Sequence, residues 1–174
     1  MKRFLCMAII IFLFIPRIMA QTEKGKWMIN PEITTFGVGG TDNDKSKSNR
    51  FNFGLGFKGG SFIYDDLLVN VGIGFDINKQ EKWKDNSLQL SGGLKYYILS
   101  HLFLGAEIGY EREWLRDYEG DKTLKNNYFF FGADLGYAIF ITPNISIEPA
   151  IYWKHSFADR LNQYGFKVGF GLYF

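Results

Sequence analysis

The chain ends on Gly169-Phe170-Gly171-Leu172-Tyr173-Phe174, and this stretch decides the fold. Side chains of a β-strand point alternately to two faces, so Phe170, Leu172 and Phe174 form one continuous apolar face. Water disfavours such a face at the end of a chain, whereas a strand that spans a lipid bilayer must present one. The ending therefore indicates a strand with one face in an apolar environment.

The same period of two recurs along the rest of the chain and marks eight segments. They lie at 27–38, 51–58, 67–78, 87–98, 102–112, 128–141, 145–154 and 162–174. The 44 positions on their large-apolar parity include no Asp, Glu, Lys or Arg, although 22% of the chain is charged. Because a charge that faces lipid costs roughly 2–4 kcal/mol at the bilayer midplane, this parity is predicted to face lipid.

The opposite parity distinguishes a membrane barrel from the alternative, a soluble secreted barrel. A soluble barrel points its apolar face inward and its polar face to water, where glycine serves no purpose. Glycine on the inward face of a narrow barrel leaves room for side chains from the opposite wall. That parity holds 12 of the 20 glycines: Gly54, Gly56, Gly72, Gly74, Gly93, Gly105, Gly109, Gly132, Gly136, Gly165, Gly169 and Gly171. We predict an all-β fold, an eight-stranded antiparallel up-and-down transmembrane β-barrel.

Residues 1–20 have the features of a secretory signal peptide. Lys2 and Arg3 precede an uninterrupted apolar run over residues 4–15, which is too short to span a bilayer but suits a signal sequence. The alternative is an N-terminal membrane anchor. Cleavage after residue 20 is predicted to leave a barrel domain at residues 21–174.

Cleavage also changes the charge and cysteine content. Lys plus Arg falls from 20 to 17 while Asp plus Glu stays at 18, so the net charge moves from +2 to −1. We therefore predict no nucleic-acid partner. The single cysteine, Cys6, leaves with the signal, so no disulfide is expected. No metal-ligand cluster or phosphate-binding motif is present, and we expect no cofactor.

The connections between the segments alternate in length. Short ones are predicted at 59–66, 99–101 and 142–144, and longer polar ones at 39–50, 79–86, 113–127 and 155–161. This alternation is typical of barrels with short periplasmic turns and longer external loops, and it places both termini in the periplasm. Pro31 and Pro149 each lack a backbone N–H, so each predicts a bulge or an unpaired position in a strand.

Two runs resemble the outer-membrane β-barrel family, the small OmpA/OmpX-like barrels of Gram-negative bacteria. They are Gly60-Ser61-Phe62-Ile63-Tyr64-Asp65-Asp66-Leu67-Leu68-Val69-Asn70-Val71-Gly72-Ile73-Gly74-Phe75, which is similar to a turn-plus-strand signature, and Leu94-Lys95-Tyr96-Tyr97. Ser61 stands where the family usually has an aromatic residue, and Asp66 where it usually has Asn. Gly169, Tyr173 and Phe174 resemble the signal that the barrel-assembly machinery reads. The resemblance implies an outer-membrane location and contact with outer-membrane lipid, including lipopolysaccharide, but no single activity.

Charged side chains occupy the inward parity. They are the acids Glu32, Asp76, Glu107, Asp134 and Glu148 and the bases Lys58, Lys95 and Lys167, with Glu111 and Lys154 nearer the outer rim. One interpretation is an ion pathway; the other is a plug of paired charges. We favour the plug, because eight strands leave an interior just wide enough for side chains and an unpaired buried charge is costly.

No catalytic constellation is convincing. His101 falls in a predicted turn, and His155-Ser156 at the end of the seventh segment, followed by Asp159 and Asn162, is the one place to look for chemistry. Some small outer-membrane barrels are lipid A deacylases whose motif separates His and Ser by one residue. Here the two are adjacent, so a regular strand points them to opposite faces. We predict that the protein is not an enzyme, with the deacylase and a narrow pore as alternatives.

The predicted external loops mix aromatic and charged residues, notably Trp83 in 79–86 and Trp114 and Tyr118 in 113–127. Exposed aromatics beside charges suit a surface protein or glycan ligand. They equally suit an interfacial anchor with lysines on anionic lipid headgroups. The predicted role is therefore structural or surface-binding, with the ligand left open.

Overall fold

The computed structural model describes residues 22–34, 39–41, 48–80, 83–117, 123–157 and 162–174. Its strand segments are β1 (Trp27–Thr34), β2 (Gly39–Thr41), β3 (Ser48–Tyr64), β4 (Leu67–Gln80), β5 (Trp83–Ile98), β6 (Leu102–Asp117), β7 (Thr123–Tyr137), β8 (Ile139–Thr142), β9 (Ile145–Ser156) and β10 (Asn162–Tyr173). The signal peptide predicted at residues 1–20 lies outside these ranges and stays a prediction.

The described ranges contain no helix that is long and apolar enough to cross a membrane.

The strands close into a ring. Every pairing is antiparallel, and the first strand pairs with the last, with Met28 opposite Tyr173 and Thr34 opposite Lys167. At this seam the Trp27 N–H donates to the Phe174 carbonyl at 3.1 Å and the Phe174 N–H donates back at 2.9 Å. β1 and β2 share the neighbours β3 and β10, and β7 and β8 both pair with β9, so the ten segments make eight barrel strands. The predicted closed eight-stranded antiparallel barrel is confirmed.

Both prolines lie where a ladder is interrupted. Between β1 and β10 the pairs stop at Ile29 and resume at Glu32, so Pro31 is unpaired on that side. Pro149 pairs with Val168 of β10, but on its other side the ladder breaks between β7 and β8. The register is the same before and after each gap. Each proline therefore marks an unpaired position, because it has no N–H to donate, and neither causes a bulge.

Six strands, β3 to β7 and β9, extend beyond the predicted segments. β1 is described only to Thr34 of the predicted 27–38, and the predicted segment 128–141 is divided into β7 and β8. β4 and β5 leave only residues 81–82 between them, where a loop over 79–86 was expected. β6 and β7 take up residues 113–117 and 123–127 of the predicted loop 113–127, and the predicted turn 59–66 shrinks to Asp65–Asp66. Our prediction ended each strand where polar residues begin. The backbone ladder does not depend on apolar side chains, so pairing continues into polar sequence.

The outer wall is apolar. Strongly exposed side chains along it include Leu55, Phe57, Val71, Ile73, Leu90, Leu94, Leu104, Ile108, Phe129, Ile151 and Phe166. All of these lie on the parity that was predicted to face lipid. Among outward positions whose side chains are described, the only charged residues are Arg112 and Lys125, both near one end of the barrel.

Candidate functional site

Ion pairs and other polar side chains line the lumen, and its contents change from one end to the other. We call the end with the described termini and the turns near residues 65, 100 and 143 the turn end, and the opposite end the loop end. Alternation along each strand points every second side chain inward. The pairing of the strands then places inward residues from several strands at the same height in the lumen.

At the turn end the lumen is closed by an apolar cluster, here called the aromatic floor. It consists of Met28, Phe62, Leu68, Tyr97, Phe103, Ala138, Ala150 and Tyr173, all buried, with Phe140 packed against it. The ring centroids of Phe62 and Tyr97 lie 5.8 Å apart, and those of Tyr97 and Phe103 lie 5.7 Å apart. Such tilted aromatic pairs add about 0.5–1.5 kcal/mol each beyond the burial of their area.

Directly against the floor lies Glu148, whose carboxylate accepts five hydrogen bonds. Oε2 accepts from Lys95 Nζ at 2.5 Å and from Asn30 Nδ2 at 2.6 Å. Oε1 accepts from Tyr173 OH at 2.8 Å, Tyr97 OH at 3.0 Å and Ser146 Oγ at 3.1 Å. The donors come from β1, β5, β9 and β10, so one carboxylate links four strands of the barrel through hydrogen bonds. Lys95 Nζ also lies 3.7 Å from the centre of the Phe103 ring, a cation–π contact.

The middle of the lumen contains a chain of alternating charges. Lys58 Nζ lies 2.7 Å from Glu107 Oε2 and 3.6 Å from Glu32 Oε2. Lys167 Nζ lies 3.6 Å from the same Glu32 oxygen and contacts Asp134 Oδ2. The order Glu107–Lys58–Glu32–Lys167–Asp134 therefore runs from β6 across the lumen to β3, β1 and β10, and back to β7, the neighbour of β6.

Toward the loop end the ion pair is Lys154 with Glu111, at 2.7 Å between Nζ and Oε2. Asp76 accepts hydrogen bonds from Gln89 Nε2 and, at 3.3 Å, from Thr34 Oγ1. No lysine of the described residues lies within ion-pair distance of Asp76. Of the eight lumen charges singled out in the sequence, five form the central chain, two form the Lys95–Glu148 pair, and Asp76 stands apart.

Little space is left between these layers. A cavity of about 20 Å³ borders Asn30, Lys95 and Glu107, and one of about 80 Å³ borders Asp76, Glu111 and Lys154. The smaller holds about one water molecule and the larger only a few.

Inward glycines create the room that these side chains fill. A Cβ on Gly136 would lie 2.4 Å from Phe103 Cζ and 2.5 Å from the Pro149 carbonyl oxygen. A Cβ on Gly132 would lie 2.9 Å from Cγ of Glu107. On the outward parity the space is open, since the nearest atom to a Cβ on Gly92 is 3.9 Å away. The inward glycines thus fit a lumen filled by side chains.

The C-terminal residues divide between the two faces. Phe174 is exposed at the seam, Tyr173 is buried in the aromatic floor, and Gly169 pairs with both Glu32 and Glu148. The sequence reasoning missed the inward aromatics, because it assigned large apolar side chains to the outer wall alone. The signal was present in adjacent bulky residues such as Tyr96-Tyr97 and Phe129-Phe130, which cannot both face lipid on a regular strand.

Among the residues that the structure describes, the two histidines contact nearby rings and polar atoms and no nucleophilic side chain. His155 Nδ1 lies 2.9 Å from Asn162 Oδ1, and its ring stacks on Trp153 at 6.0 Å between centroids. Ser156 is buried on the inward side of β9, so it points away from His155. His101 Nδ1 lies 2.8 Å from the Leu99 carbonyl oxygen in a turn. The described residues also contain no group of three or more side chains suited to a metal ion.

The comparisons with known proteins give a clear answer about the fold. No protein-family model matches the sequence, and no curated protein matches it. Among solved structures, the attachment invasion locus protein Ail of Yersinia pestis aligns with a TM-score of 0.64 at 15% identity, over 87% of this chain and 99% of Ail. Neisserial surface protein A aligns with a TM-score of 0.59 at 14% identity, over 86% and 97%.

A second structure of Ail, in complex with the heparin analogue sucrose octasulfate, aligns with a TM-score of 0.61 at 15% identity, over 87% of this chain and 99% of Ail. This chain has the fold of the small eight-stranded outer-membrane barrels. Similarity at such low identity concerns the fold, and the activity has to be argued from the site.

Proposed function

We propose that this protein is an integral outer-membrane barrel with a plugged lumen, whose role is structural or surface-binding. The observation that carries the proposal is that the two faces of the closed sheet differ in polarity. The described outer wall is apolar over most of its height, while ion pairs and aromatic rings fill the interior. This is the inverse of a water-soluble barrel, and only a bilayer makes that outer wall favourable.

The plug is supported by the contacts inside the lumen. Lys58, Lys95, Lys154 and Lys167 each meet at least one carboxylate within 4 Å. Beyond them the aromatic floor closes the turn end. A conducting pore needs a continuous column of water, and the two cavities of about 20 and 80 Å³ hold only a few molecules. A narrow pore is therefore the less supported alternative.

The proposed role is at the surface and does not involve chemistry or a cofactor. The lipid A deacylase alternative requires a base within hydrogen-bond reach of a serine, and His155 and Ser156 occupy opposite faces of β9. The structural neighbours offer one precedent for surface binding, since Ail has been seen with a heparin analogue. A protein or glycan ligand at the loop end, and the barrel-assembly machinery and outer-membrane lipid as partners, are parts of this proposal.

Surface labelling of whole cells tests the proposed orientation. The mature chain predicted after residue 20 has no cysteine, so single cysteines can be introduced without background. A cysteine at Ser46 or Gly120 should react with an impermeant maleimide on intact cells, and one at Asn144, in a turn, should react only after the cells are broken. The reverse pattern would contradict the orientation. A protein absent from the membrane fraction would contradict the proposal as a whole.

A further inference from the structure

Three buried oxygen atoms in the middle of the lumen accept no hydrogen bond from the described part of the chain. They are Asn30 Oδ1, Asn70 Oδ1 and Asp134 Oδ1. The side chains of Asn30 and Asn70 are buried, with exposures of 4% and 8%. A buried acceptor without a donor lowers stability, because it has lost its contact with water and gained nothing in return.

The three residues border one cavity, the smaller of the two described above, with a volume of about 20 Å³. The orientation of the Asn30 amide is set by its nitrogen, which donates to Glu148 Oε2 at 2.6 Å. Asp134 Oδ1 lies directly over Gly105, which also borders the cavity. β1, β4 and β7 therefore bring three acceptors without donors to one small space.

The charges around this cavity do not balance. Each lysine of this layer already contacts a carboxylate, and four acids stand against three lysines, which leaves a net charge of −1. The acids are Glu32, Glu107, Asp134 and Glu148, and the lysines are Lys58, Lys95 and Lys167. A net charge inside a barrel is unfavourable unless something neutralises it.

The size of the cavity suits either one water molecule or one small ion. A water molecule has two hydrogens, so it can donate to only two of the three acceptors, and it leaves the net charge as it is. A hard cation is coordinated by amide and carboxylate oxygens together. A monovalent cation would contact all three oxygens and cancel the charge of −1.

A divalent ion fits less well. Mg²⁺ keeps several of its waters when it binds, and a cavity of about 20 Å³ cannot hold them. A charge of +2 would also exceed the deficit. Two of the three ligands are amides, so the site does not need the group of three His, Cys, Asp or Glu side chains that the described residues lack.

We propose that the cavity between Asn30, Asn70 and Asp134 binds one dehydrated monovalent cation, Na⁺. The ion would complete the plug, because it links β1, β4 and β7 at a level where the described side chains leave oxygens without donors. This rests on the proposed function, since an open, water-filled lumen would keep the ion hydrated. The ion is held in place and is not conducted.

The test is the dependence of unfolding on Na⁺. The mature chain is folded into phosphatidylcholine vesicles and unfolded in urea, with NaCl replaced stepwise by N-methylglucamine chloride at constant ionic strength. N-methylglucamine is far too large for the cavity. Because only the folded barrel binds the ion, the unfolding equilibrium constant of the wild type should fall about tenfold for each tenfold rise in Na⁺ above the dissociation constant.

Variants locate the effect. Asn70→Leu removes one ligand and should abolish the dependence on Na⁺. The matched control is Asn86→Leu, which removes an amide oxygen that also lacks a described donor but lies on the outward parity of β5, and it should keep the wild-type dependence. Asp134→Asn balances the charges without an ion and should also lose the dependence, so it decides the matter if Asn70→Leu does not fold.

Two results would overturn the site. Wild-type unfolding that is the same in Na⁺ and in N-methylglucamine would assign the cavity to water. An undiminished Na⁺ dependence in Asn70→Leu or Asp134→Asn would place the ion elsewhere. Both leave the plug intact, provided that the barrel does not conduct, whereas a large stable conductance of the wild type would overturn the proposed plug and this site together.

Discussion

Lys95 and Glu148 meet deep inside the barrel although 53 positions separate them in the sequence. Lys95 Nζ lies 2.5 Å from Glu148 Oε2, and the two side chains are 9% and 1% exposed. β5 and β9 supply the two residues, and neither strand is hydrogen-bonded to the other. The pair therefore links opposite walls of the barrel, which the backbone ladder does not connect directly.

The two members of this pair should differ in their contribution to stability. Glu148→Ala leaves Lys95 without its counter-ion and removes the acceptor for Asn30, Tyr97 and Tyr173, so we expect a loss of about 3–5 kcal/mol in unfolding free energy. Lys95→Met leaves the carboxylate with four of its five donors and should cost clearly less. Urea unfolding in lipid vesicles measures both. Equal losses, or a larger loss for Lys95→Met, would contradict the proposed role of the carboxylate.

Inward glycine should be needed where atoms of the neighbouring strands lie directly over it. Gly136→Ala places a Cβ 2.4 Å from Phe103 Cζ and 2.5 Å from a backbone oxygen, so we expect a destabilisation of about 1–3 kcal/mol. Gly92→Ala on the outward parity is the control and should be nearly neutral, since its Cβ meets no atom closer than 3.9 Å. The same vesicle unfolding assay compares them. A neutral Gly136→Ala would show that the interior is looser than the contacts indicate.

A charge introduced on the outer wall should lower the free energy of unfolding. Ile108 is 67% exposed on β6, and we expect Ile108→Lys to cost roughly 2–4 kcal/mol if that position lies near the bilayer midplane. Leu99, 88% exposed in a turn, is the control, and Leu99→Lys should leave the unfolding free energy unchanged within error. If the two substitutions cost the same, the apolar band does not face lipid.

The last residue should matter for assembly more than for packing. Phe174 is exposed, but its backbone closes the seam with Trp27, and it ends the stretch that resembles an assembly signal. Deleting Phe174 should lower the amount of folded, heat-modifiable protein in the membrane far more than deleting Gly120, which lies outside the described residues. Tyr173→Phe, which removes only a hydroxyl bonded to Glu148, should assemble but unfold at lower urea. Normal assembly after the Phe174 deletion would contradict the signal.

The sequence was sufficient for the strand number and for the parity that forms the apolar outer wall, because period two is a local property that any strand must obey. The sequence could not show which acid pairs with which lysine in the lumen. Glu148 and Lys95, or Lys167 and Asp134, are brought together by the closed register, and closure depends on the pairing of β1 with β10. The strand ends were also misjudged, since the backbone ladder continues into polar sequence.

The aromatic floor shows a second limit. Phe62, Tyr97, Phe103 and Tyr173 fall on the inward parity, yet their residue types match the outer wall. A rule that sends every large apolar side chain to lipid misplaces them. The rule fails at the turn end, where the interior must be sealed and Tyr hydroxyls find a partner in Glu148.

Conductance across a planar bilayer tests the central claim, a lumen plugged by paired charges, most directly. Folded wild-type protein, with insertion verified separately by heat modifiability, should add no large stable conductance, and Glu107→Ala should lower stability without opening a channel. Lys58 would still have Glu32 at 3.6 Å, so the other four charges of the central chain stay in contact. A stable, large, ion-selective conductance in the wild type that Glu107→Ala abolishes would show that these charges line a pathway, and the plug would be wrong.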